Sequence, residues 1–123
     1  MTASTNTSLP WWIVKRNLLP DPDQSLQELL QHFAAYPDVK IGNMFGFPCL
    51  TIRLKVFAVS FRGDMVFKLK EESLPNALAN PGAELWNPYG HVKKQWVQIP
   101  HSYADSWPEY AFAAHDYVLS LIK

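Results

Sequence analysis

Six cationic side chains crowd the middle of this sequence. Residues 39–70 carry Lys40, Arg53, Lys55, Arg62, Lys68 and Lys70 against Asp64 alone, a net +5, while residues 1–38 and 71–123 sum to −2 and −3. Apolar residues alternate through the same stretch. By strand parity, Arg53, Lys55, Arg62, Lys68 and Lys70 then fall opposite the apolar stripes and share one face. Such a face attracts an anionic ligand, an acidic protein or nucleic acid. It equally describes the wet face of a half-buried antiparallel sheet. Direct nucleic-acid binding is not expected, because neither terminal helical segment is basic and Lys+Arg and Asp+Glu balance at 11 each.

The other reactive side chains form no recognised catalytic pattern. His32, His91, His101 and His115 make no His-Glu-x-x-His motif and no close His/Cys pair, so no metal site is implied. His32 and His115 are expected on helix surfaces. Cys49 follows Pro48 in an apolar run and reads as a small buried hydrophobe. As a nucleophile it would need His91 or His101 beside it, a pairing that sequence does not place. Glu71 and Glu72 are adjacent, so they suit a helix start rather than an acid/base pair. The five glycines are scattered and form no phosphate loop. No cofactor is implied, and the expectation is a domain without catalysis of its own.

Trp11 and Trp12 stand apart from these groups. Tryptophan is enriched at interface cores, so they are candidates for a partner or self-association surface, a homodimer included. The alternative is an arm that packs across its own sheet. Trp86, Tyr89 and Trp96 flank a late hairpin and read as cross-strand packing.

The elements that must position these groups follow from local pattern. Asp21-Pro22-Asp23-Gln24 reads as a capped helix start, and Leu26, Leu29, Leu30 and Phe33 continue one apolar stripe. Pro37 stops that helix, predicted over 22–35. Three strands are predicted over 41–54, 55–61 and 64–70, with a hairpin turn at Arg62-Gly63-Asp64. Pro48 suggests a bulge or an edge position within the first. A short helix follows from Glu71, then strands over 83–86 and 96–99. A last helix starts from the capping box Ser106-Trp107-Pro108-Glu109. The expected fold is α+β, two layers, with a five-stranded antiparallel sheet, helices on one face and the order α-βββ-α-ββ-α. The 123 residues make one domain over 21–123, preceded by an arm over 1–20 whose polar start predicts partial disorder. One cysteine, no secretory leader pattern and no apolar run near membrane length point to a cytoplasmic chain without a membrane span.

Met44-Phe45-Gly46, Lys55-Val56-Phe57-Ala58 and Met65 to Lys70 resemble the TfoX N-terminal domain family. So do Ala77 to Ala83, Asn87-Pro88-Tyr89-Gly90 and Trp96 to Pro100, and the resemblance covers about residues 23–121. It implies a small α+β domain similar to YjbR-like and secretion-chaperone folds, acting as a regulatory or protein-interaction module. The chain departs from the family at Phe47-Pro48-Cys49, where further glycines are usual, and at Arg53-Leu54, where an Asn-Gly-like turn is usual. The family's competence role is not carried over. The alternative expectation is a small-molecule or anion-binding domain using the basic face.

Overall fold

The structure, a computed structural model, describes residues 22–122. In chain order it contains α1 (Pro22–Gln31), β1 (Val39–Met44), β2 (Phe47–Ile52), β3 (Lys55–Phe61), β4 (Asp64–Lys68), α2 (Leu74–Leu78), β5 (Glu84–Trp86), β6 (Lys93–Ile99) and α3 (Trp107–Leu121). Short 3-10 turns over Glu71–Ser73 and His101–Ser106 lead into α2 and α3. The strands form one antiparallel sheet in the order β1-β2-β3-β4-β6-β5.

The α+β class and the antiparallel sheet are as expected, but the sheet has six strands and the order is α-ββββ-α-ββ-α. The predicted first strand is two strands. Phe45 and Gly46 both take positive φ, at 54° and 84°, and Asn43 Oδ1 accepts the Gly46 N–H at 3.0 Å. Positive φ at both central residues is the type I′ turn, which suits the strand twist of a two-residue hairpin. Arg53 and Leu54 (φ 50° and 68°) and Arg62 and Gly63 (φ 51° and 90°) repeat it. α1 ends at Gln31, and i→i+3 bonds such as Phe33 N–H to Leu30 C=O at 2.9 Å tighten the chain beyond it. The second capping box does not form. Ser106 has helical dihedrals, and its hydroxyl donates to the Tyr103 carbonyl at 2.8 Å.

Both faces of the sheet are apolar, contrary to the expected wet face. One face meets the helices, where Leu26 and Leu29 of α1, Phe33 just beyond it, Ala77 of α2 and Ala114 of α3 pack with Leu50, Phe67 and Val97. The opposite face holds a second core of Cys49, Val59, Phe61, Val66 and Trp86. Phe61 and Trp86 have ring centroids 5.6 Å apart, although β4 and β6 lie between their strands. The sheet therefore curls toward this face. Flat strands spaced about 4.8 Å apart would hold β1 and β5 about 24 Å from each other. Instead the Tyr89 hydroxyl, beyond β5, donates to the Phe45 carbonyl beside β1 at 3.2 Å.

A β-bulge sets which residues reach which face. Leu50 pairs with Ala58 and Thr51 with Val56, so Phe57 has no partner on β2. One extra residue reverses the parity. Phe57 faces the helices, as expected, but Val59 and Phe61 point into the second core. His115 is also displaced from its expected surface position. It is 2% exposed, its ring lies 5.0 Å from that of Tyr36, and its Nε2 has no hydrogen-bond partner among the described residues.

Candidate functional site

The bulge also divides the sheet. Pairs between β3 and β4 run from Phe61↔Asp64 to Ala58↔Phe67 and stop there. Below that point Lys55 and Val56 stay with β2, whereas Lys68 stays with β6 opposite Trp96. The Leu69 N–H then continues the β4 side, donating to the Gln95 carbonyl at 2.9 Å. The two central strands separate, and the end of α3 backs the gap. Gln95 fixes that end, its side-chain amide donating to the Tyr117 hydroxyl at 2.8 Å.

The gap is a cleft of about 570 Å³. Val56, Val118, Leu121 and Ile122 give it apolar surface, Trp96 forms a wall, and Lys55 and Lys68 supply the charge. None of these lining residues is acidic. Lys68 Nζ sits 5.9 Å from the Trp96 ring centroid, a cation–π contact worth about 0.5–1 kcal/mol at an exposed site. The C-terminal end of α3 contributes roughly −0.5 of a charge, less than two full cations, so the cleft is net positive. Its size lies within the roughly 300–1,000 Å³ of small-molecule sites.

A second groove, of about 270 Å³, runs between α1 and the His101–Ser106 turn. Glu28 and Asp105 are among its lining residues with His32 and His101, so carboxylates stand where an anion would bind. Among the described residues, no group of three or more His, Cys, Asp or Glu side chains is arranged to hold a metal ion.

The predicted basic face is dispersed, because the second core occupies the surface assigned to it. Lys55 and Lys68 come together at the cleft. Arg53 lies in the β2–β3 turn, paired with Asp38 at 3.4 Å, both side chains being 58% exposed. Arg62 lies at the opposite end of β3, its guanidinium 4.8 Å from the Phe61 ring centroid. Lys70 is exposed beyond β4, where its carbonyl accepts the Ser73 N–H at 2.9 Å. Trp11 and Trp12 lie outside the described residues. Sequence reasoning missed Trp96, Val118 and Leu121 as cleft residues. Pairing of β4 with β6 sets Trp96 opposite Lys68, the docking of α3 adds Val118 and Leu121, and neither leaves a motif.

Cys49 is fully buried in the second core. Burial pushes its thiol pKa up, opposed in part by a backbone hydrogen bond with Gly42. A nucleophilic cysteine needs the reverse shift. No family model, curated protein or solved structure matches this chain.

Proposed function

We propose that this chain is a binding module that holds a small anion in the β3–β4 cleft. The observation carrying this reading is that Lys55 and Lys68 line one cleft together with apolar side chains, with no acidic group in the lining. Two cations converging on a concavity from separate strands favour an anion, and the splayed strands give it room. The full chain, melted against a panel of carboxylates and phosphates, is expected to gain about 2.7 kcal/mol at one hundred times Kd. Lys55→Glu and Lys68→Glu should each abolish that gain. A panel that leaves the melting temperature unchanged sinks the reading.

A second reading, a regulatory protein-interaction module of the TfoX N-terminal type that self-associates in the cytoplasm, has its own support. Phe45, Tyr89 and Val92 expose 57%, 60% and 53% of their surfaces, and the Phe45 and Tyr89 rings meet at 6.2 Å. Light scattering coupled to size exclusion tests it. A monomer at working concentration removes the homodimer.

A further inference from the structure

We infer that the anion is the head of an amphiphile, a free acyl-chain carboxylate whose chain lies along Val56, Val118 and Leu121. This rests on the cleft reading above and adds the class of ligand.

Charge alone does not explain the site. A simple anion needs cations and hydrogen-bond donors, yet four of the seven lining residues are aliphatic and a fifth is Trp96. Part of the apolar surface is open to solvent. Leu121, at the end of α3, is 51% exposed. Leu54, next in sequence to Lys55, is 89% exposed.

Leu54 is an independent sign. It holds φ at 68°, where a side chain with a Cβ is disfavoured and glycine or asparagine is the usual occupant. Strain of this kind persists where function or packing requires the residue. Packing does not require an 89% exposed leucine. An apolar tip beside a cation therefore suits a ligand with both characters. Lys55 and Lys68 take the carboxylate by charge-assisted hydrogen bonds, and the aliphatic residues cover the chain.

The test is calorimetric titration of the full chain with acetate, hexanoate, octanoate and decanoate, all kept monomeric. Octylamine and anionic phosphatidylglycerol vesicles are the controls. Affinity should rise roughly threefold per methylene, somewhat below the roughly fourfold of complete burial. Octylamine should not bind. Lys68→Ala should weaken decanoate about tenfold, the loss of one charge-assisted contact. Leu121→Ser, which adds no charge at this half-exposed position, should flatten the dependence on chain length.

Acetate and decanoate binding equally, and both lost in Lys68→Ala, would overturn the amphiphile and leave the anion cleft standing. Binding to vesicles without binding to monomeric decanoate would also overturn it, in favour of a lipid surface. No anion of any length binding would remove both the inference and the reading beneath it.

Discussion

Replacing Leu54 with glycine should stabilise this protein. Leu54 and Arg53 occupy the two central positions of a type I′ turn, with φ at 68° and 50°. The left-handed conformation costs an ordinary L-residue about 1–2 kcal/mol. Leu54 is 89% exposed, so removing its side chain sacrifices almost no burial. Glycine gives back part of the gain, since its freer unfolded chain costs about 0.5–1 kcal/mol. The net expectation is about 0.5–1 kcal/mol in favour of Leu54→Gly. For a domain of this size that is a rise in Tm of about 2–5 °C. Arg53 is best left in place, because its exposed pair with Asp38 contributes no more than about 1 kcal/mol and would confuse the comparison. Differential scanning calorimetry and urea titration should agree in sign, with an unchanged urea slope. A Tm lowered by 2 °C or more would refute the reasoning, because it would mean that Leu54 makes stabilising contacts its exposure denies.

Three further outcomes follow from the doubly apolar sheet and its cysteine. Trp86→Ala should cost about 3–5 kcal/mol in urea unfolding, the penalty of a fully buried aromatic, whereas a residue on a wet sheet face would cost under about 0.5 kcal/mol. Cys49, with its pKa raised by burial, should resist alkylation near neutral pH until the protein is denatured. The folded state holds the Cys49 proton more tightly than the unfolded state does. Its contribution to stability is therefore complete below the unfolded thiol's pKa, about 8.5, and is lost as pH rises through the higher folded value. Cys49→Ala should flatten the alkaline fall in Tm relative to the parent, and an equal fall in both proteins would count against that burial.

The helices were legible because their signals are local. The stripe Leu26, Leu29, Phe33 marks α1, which ends at Gln31, short of the expected residue 35, and Arg62-Gly63 between two apolar runs marks the β3–β4 hairpin. The Phe45-Gly46 turn was hidden because phenylalanine occupies a position where glycine or asparagine is usual, leaving Asn43 and Gly46 as the only cues. The second core did leave a trace. Phe57-Ala58-Val59 is an unbroken apolar run, which suits a strand buried on both faces better than an alternating one. What could not be read was the bulge at Phe57, which depends on pairing with β2 and decides both the fate of Val59 and the opening of the cleft. The charge excess of residues 39–70 was real, but topology sent Arg62 and Arg53 to turns and left Lys55 and Lys68 as the pair that converges. His115 was misplaced because a histidine within a helix is read as surface, whereas here it fills a gap among Phe33, Tyr36 and Phe57.

The most direct measurement is an isotope-filtered nuclear Overhauser experiment on methyl-labelled protein with unlabelled decanoate. The account predicts contacts from the ligand's methylenes to the methyl groups of Val56, Val118, Leu121 and Ile122, together with shifts at the Lys55 and Lys68 side chains, the contacts needing about ten times more ligand in Lys68→Ala. Contacts confined to the groove beside His32 and His101, or shifts scattered over the surface without Overhauser transfer, would contradict it.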